Sequence, residues 1–221
     1  IKNRHSVVLV GMKRVGISNF LRFFLYHQKI QETFVSDGKK HLFIPVDLND
    51  LVEREIFPFW TLTFKRIIDT IEKFEIAQKV KKQIETLFLD SNKSQDLFLT
   101  IDSVRKTLVI LSEEGIEPTL FFIRFYRMKD TLNPEFFANL EGLQDAAHQK
   151  LAFIFTSFRR LSELSPSVFG KAGLSLFSNN LYVKPAKKED VVTIYKTYES
   201  RYKFMLPKSL EEALFDIVDG Y

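Results

Sequence analysis

Ser6-Val-Val-Leu-Val10-Gly11-Met-Lys-Arg-Val-Gly16-Ile17-Ser18-Asn-Phe-Leu-Arg-Phe-Phe-Leu25 joins a short apolar run to an apolar helix through a loop with two glycines. The run Val7 to Val10 reads as a buried strand. Gly11 and Gly16 stand at the two glycine positions of G-x-x-x-x-G-K-[ST], the loop that cradles phosphate groups, and Ser18 stands at its hydroxyl position. Ile17 stands where that pattern puts lysine. The glycines permit positive φ and close approach of an anion, and the following helix offers its N-terminal N–H groups. The missing lysine removes the charge that reaches the β- and γ-phosphates. The candidate cradle is Gly11, Met12, Lys13, Arg14, Val15, Gly16, Ile17, Ser18 and Asn19, with Lys13 and Arg14 as the cations that could compensate in part.

Strands and helices alternate through the rest of the chain, which predicts a parallel sheet flanked by helices. After the helix from Ser18 to His27, Leu42 to Val46 reads as a second strand, ending at Asp47-Leu48-Asn49. Helical spacing then covers about residues 53–74 and 76–89, with a polar break at Asp90-Ser-Asn-Lys-Ser94, and resumes over about 94–114. Thr119 to Phe125 reads as a third strand. Asn133-Pro134-Glu135 opens a helix that runs to about His148. Leu151 to Thr156 and Leu181 to Val183 read as the last strands, and two helices, about 187–203 and 209–218, close the chain. The boundary falls near Pro185, giving a core over 1–185 and a helical lid over 186–221.

A phosphate loop of this kind works with an acid at the end of a second apolar strand, which holds Mg²⁺. Here Leu120-Phe-Phe-Ile-Arg-Phe-Tyr-Arg127 places Ile123 or Arg124 at that point, and Asp130 and Glu135 come later. Arg124 and Arg127 put positive charge where the metal would sit. Two losses, one in each half of the machinery, argue against Mg²⁺-dependent hydrolysis. The fourth strand ends in Thr156 and Ser157 and is followed by Arg159 and Arg160. These four are candidate γ-phosphate sensors; equally, the hydroxyls cap the strand and the arginines are solvated. Both readings stay open.

Taken together, the chain resembles an AAA+/STAND-type P-loop ATPase domain of the origin-recognition-like or archaeal-ATPase-like branch. The resemblance is carried by Val8 to Leu21, by Thr119 to Arg127, by Ile154 to Leu161, by Leu181 to Asp190, and by the terminal Asp219-Gly-Tyr221. It implies a sheet of order 5-1-4-3-2, nucleotide bound between core and lid, and a further domain after Tyr221.

The chain has 221 residues, of which 45% are hydrophobic and 27% charged, enough to bury a sizeable core. No apolar run approaches a membrane span. There is no cysteine, which excludes disulfides and thiolate metal sites, and the four histidines are scattered. Net charge is +4 and mixed along the chain, so nucleic-acid binding is weakly supported. The 23 phenylalanines read first as core. No secretory signal is visible, and the expectation is a cytoplasmic chain cut from something longer, with a protein partner or further domains. Three functions compete: a degenerate pseudo-ATPase module acting as scaffold or switch, a working ATPase that has replaced its lysine, and a DNA-associated subunit. For the first, ATP is held weakly if at all and Mg²⁺ is not expected.

Overall fold

Four of the five strands, β1 (Val7–Val10), β2 (Lys40–Asp47), β3 (Ile116–Ile123) and β4 (Ala152–Ser157), alternate apolar side chains to opposite faces of one parallel sheet. The short strand β5 (Asn180–Tyr182) completes it. The computed structural model describes residues 4–12, 16–27, 29, 33, 35, 38–169, 177, 179–184 and 186–218. The strand order is β2-β3-β4-β1-β5, which is the expected 5-1-4-3-2 read from the other edge. β1 lies inside the sheet, between β4 and β5.

The two faces are covered unequally. Val8, Val10, Leu42, Ile44, Val46, Leu120, Phe122, Phe153 and Phe155 face the larger core. Against them pack α2 (Ile56–Glu72), α4 (Leu97–Glu113) and α5 (Pro134–Ala146), with α3 (Gln78–Ser94) laid on α2 and α4. Phe43, Phe121, Ile123 and Ile154 point to the other face and meet α1 (Ile17–Tyr26) through Ile17, Leu21, Phe24 and Leu25. The phenylalanines explain themselves on the larger side. Phe122 is fully buried and its ring centroid lies 5.1 Å from Phe59, 5.5 Å from Phe155 and 5.9 Å from Phe153. By contrast Phe20, Phe23 and Tyr26 lie on the exposed side of α1.

Several expected boundaries move, each for a local reason. The polar stretch Asp90 to Ser94 does not break a helix; α3 runs through it, because it holds neither Gly nor Pro, and ends at Gln95 with φ 50°. β3 starts earlier than expected, at Ile116, since it pairs with β2 from Lys40↔Ile116 onward. Pro118 is tolerated inside it because the pairing with β4 begins one residue later, at Thr119↔Ala152. β3 also stops earlier, at Ile123: Arg124 has φ 62° and Phe125 opens a 3-10 turn to Met128. β5 lies one residue before its expected position. Two short helices, α6 (Leu161–Leu164) and α7 (Pro166–Phe169), follow β4 and were too short to leave a periodic signal.

The last two helices, α8 (Lys188–Tyr202) and α9 (Lys208–Val218), meet at Tyr195, whose ring lies 5.4 Å from that of Phe215 and 5.9 Å from that of Phe204. The proposed boundary residue Pro185 and the terminal Asp219, Gly220 and Tyr221 lie outside the described residues. Among the described residues no helix is long and apolar enough to cross a membrane.

Phe122→Ala should lower the unfolding free energy by about 3–5 kcal/mol, the usual cost of emptying a buried phenylalanine site. Phe20→Ala, on the exposed side of α1, should change it by less than about 0.5 kcal/mol. Urea denaturation of both variants checks the assignment.

Candidate functional site

Parallel pairing brings the C-terminal ends of β1, β2, β3 and β4 to one edge of the sheet. A cleft of about 330 Å³ opens there, lined by Gly11, Met12, Gly16, Ile17, Ser18, Asn19, Arg124, Tyr126, Thr156, Ser157 and Phe158. Six of the nine expected cradle residues therefore come together. Lys13, Arg14 and Val15 lie outside the described residues.

The cradle begins where β1 ends. The Gly11 N–H donates to the Ser157 carbonyl at 3.0 Å, which ties the loop to the end of β4. Gly16 has φ 93° and occupies the N-cap of α1, a backbone position that favours glycine. No side chain caps that helix and its first turn carries no acid. Its first N–H groups are the orphan donors every helix leaves, and the helix dipole adds partial positive charge there. Ile17 lines the cleft, and its side chain also packs against the cluster of Leu21, Leu25 and Phe121.

The other wall is built around Arg124. Its left-handed backbone turns the chain out of β3, and its N–H donates to the Thr156 hydroxyl at 2.7 Å. The side chain crosses to β2, where Nε donates to Asp47 Oδ1 at 3.0 Å and Nη2 donates to Asp47 Oδ2. Nη1 faces Ser18 Oγ at 3.4 Å. The guanidinium is thus forked onto one carboxylate on one edge and turned toward the cradle serine on the other. Both charged side chains keep about a third of their surface in solvent, 29% for Arg124 and 30% for Asp47. Asp47 was missed from the sequence as a site residue. Only the sheet register reveals it: Asp47 pairs with Ile123, one residue before Arg124.

The sensor-like residues divide. Thr156 and Ser157 line the cleft, but the Thr156 oxygen accepts the Arg124 N–H and Ser157 Oγ accepts the Arg159 N–H at 3.2 Å. Arg159 and Arg160 line a neighbouring depression of about 410 Å³ with Tyr182 and Lys184. There Arg160 donates to the Tyr182 hydroxyl and lies 3.5 Å from Glu163, while Arg159 stacks over Phe158. Arg127 turns away from the cleft to Asn49, at 3.0 Å. Tyr126 and Phe158, with ring centroids 4.7 Å apart, give the cleft an aromatic wall that the sequence did not flag.

A groove along β2 adjoins this edge, and in it Arg66 bridges Asp50 at 2.7 Å and Asp69 at 3.1 Å. Partial burial works to raise the Asp69 carboxyl, but the hydrogen bonds and charges of Lys65 and Arg66 outweigh it and hold it below its ordinary value. The same two carboxylates raise the Arg66 guanidinium in spite of its own burial.

No protein-family model and no curated protein matches the chain. Solved structures do. A Walker-type ATPase of Pyrococcus abyssi superposes with a TM-score of 0.63 at 19% identity, over 98% of this chain and 59% of that one. The ORC2 protein of Aeropyrum pernix, in its ADP form, gives 0.58 at 12% identity, over 96% of this chain and 51% of that one. The chain has the fold of an AAA+ P-loop ATPase domain. It spans a little over half the length of these two structures. In the AAA+ fold the edge described above is where the phosphate loop and the metal-holding acid meet. Here Gly11, Gly16 and Ser18 line that edge, and Arg124 is the first residue after β3.

That placement decides which groups the site fits. Mg²⁺ needs several oxygen ligands in octahedral geometry. The candidate oxygens, those of Ser18 and Asp47, both face the Arg124 guanidinium, and among the described residues no cluster of acids or histidines could hold a metal. A cation drawn to those two oxygens would meet the guanidinium first, whereas a phosphate group would find donors at the start of α1 and on Arg124.

Thr156→Val should cost about 1–3 kcal/mol of stability, because it strips the acceptor from the Arg124 N–H in a partly buried setting. Thr156→Ser, which keeps the oxygen, should cost clearly less. Thermal or urea unfolding of the pair separates the hydrogen bond from the lost methyl.

Proposed function

We propose that the chain is a degenerate nucleotide-binding module, a pseudo-ATPase domain that works as a scaffold or switch through protein contacts and does not turn ATP over. The observation that carries this reading is the Asp47–Arg124 fork at the catalytic edge. Phosphoryl transfer on this fold rests on a lysine, a metal and an acid acting together. Ile17 removes the first, and Arg124 stands in place of the other two. Loss of one such electrostatic element typically costs on the order of 3 kcal/mol of transition-state stabilisation. Two losses at one reacting centre leave little rate to observe.

The surface favours protein contacts. Tyr198, Tyr202, Met205 and Ile217 are exposed on α8, α9 and their connection, and apolar surface of this kind suits association. The likeness to a Walker-type ATPase and to an ORC2 protein solved in its ADP form supports a nucleotide as the bound group, if one is bound. The cellular setting that suits such a module is the cytoplasm.

A steady-state phosphate-release assay with ATP and Mg²⁺ should show turnover well below about 1 s⁻¹, the low end for phosphoryl-transfer enzymes. Turnover at or above that rate, abolished by Gly16→Val, would establish the working-ATPase reading instead. Ile17→Lys should tighten ATP binding by restoring a charge-assisted contact; unchanged affinity with the fold intact would mean that the loop has lost its phosphate-binding shape.

A further inference from the structure

We propose that Arg124 is the resident cation of the cleft, so that the site takes a polyphosphate without any divalent metal. This rests on the nucleotide-binding reading above and adds what replaces the metal. An arginine side chain has five N–H donors in a planar fork. Two of them go to Asp47 and one is directed at Ser18, which leaves one on Nη1 and one on Nη2, and Arg124 lines the cleft. The fork with Asp47 fixes the plane of the guanidinium before any ligand arrives, so little side-chain freedom is lost on binding. The Arg124 N–H bond to Thr156 fixes its backbone as well.

Geometry and charge agree. Ser18, the residue whose hydroxyl holds the metal in an intact phosphate loop, is the one that Arg124 faces. The guanidinium therefore occupies the space between the cradle hydroxyl and the carboxylate at the sheet edge. Asp47 takes the Nε and Nη2 edge of the guanidinium, and Ser18, in the first turn of α1, faces Nη1. The Asp47–Arg124 pair is close to neutral as a whole, so what it presents to an anion is hydrogen-bond donors rather than an unscreened acid. Ile17 packs on the Leu21 cluster and also lines the cleft.

The test is calorimetric titration of the full chain with ATP, and with inorganic triphosphate, in excess EDTA and again in excess Mg²⁺. Affinity for at least one of the two should be the same in both buffers within about twofold; comparing them shows whether the nucleoside adds to the phosphate chain. Arg124→Asn, which tolerates the left-handed backbone, should lose about tenfold or more in EDTA, the value of a charge-assisted hydrogen bond. Arg124→Lys keeps the charge without the fork and should fall in between. Arg124→Asp places a second acid beside Asp47 and should make binding depend on Mg²⁺. Circular dichroism confirms that each variant is folded. Mg²⁺-dependent binding by the unmodified chain, undiminished binding by Arg124→Asn, or no binding in either buffer would each overturn the proposal. The last of these, with phosphate release still absent, leaves the scaffold reading intact.

Discussion

The register between β2 and β3 sets the position of everything at the functional edge. Eight consecutive pairs run from Lys40↔Ile116 to Asp47↔Ile123. In a parallel pair the strand ends come out together, so the last residue of β2 lies beside the first residue after β3. A one-residue slip would turn Phe122 out of the larger core and swing Asp47 away from Arg124. Burial of the aromatic face thus fixes the geometry of a surface ion pair. At the opposite end of the same two strands, Glu117 gathers Lys39 at 2.8 Å and Arg4 at 3.7 Å, so the pair of strands carries charge contacts at both ends.

Aromatic packing gives that register its weight. Phe122 touches rings from α2 and from β4, and Phe137 and Phe177 extend the cluster toward β5. Each such ring buries a large apolar area, and a close-packed interior transmits small shifts poorly tolerated by its neighbours. The ion pair, being partly solvated, contributes much less to stability. Its importance lies in what it excludes from the site and in what it presents to a ligand.

Most of this fold was legible in the sequence because its strands are apolar runs and its helices carry clean stripes. The β-α alternation led to a parallel sheet flanked by helices, and the strand order implied by the family resemblance matches the one observed. Periodicity failed at surfaces and at short elements. Asp90 to Ser94 looked like a break since polar composition was read as irregular structure, although an exposed helix has no need of apolar residues. The four-residue helices α6 and α7 are shorter than a detectable period. At the site, the oddity of Arg124 was visible as a residue out of place, but its partner was not. Asp47 lies 77 residues earlier, and only the sheet register joins them. Thr156 posed the same difficulty: its hydroxyl read as a sensor or a cap, and the structure shows it accepting from the backbone of another strand's end.

The way α1 is seated has a consequence for how the cradle behaves over time. Among the described residues, α1 rests on the sheet through a small cluster centred on Leu21, Leu25 and Phe121, while several helices pack on the opposite face. Elements with few buried contacts open first in native-state fluctuations. The segment that would grip an anion is therefore held by a small set of buried contacts among the described residues. Any group seated at the N-terminus of α1 binds only the closed form, and by mass action holds the helix down. Occupancy of the loop is in this way converted into the order of a whole helix, whose outer side carries Phe20, Phe23 and Tyr26. Such a route needs no catalytic turnover: an anion would be reported through the docking of one amphipathic rod.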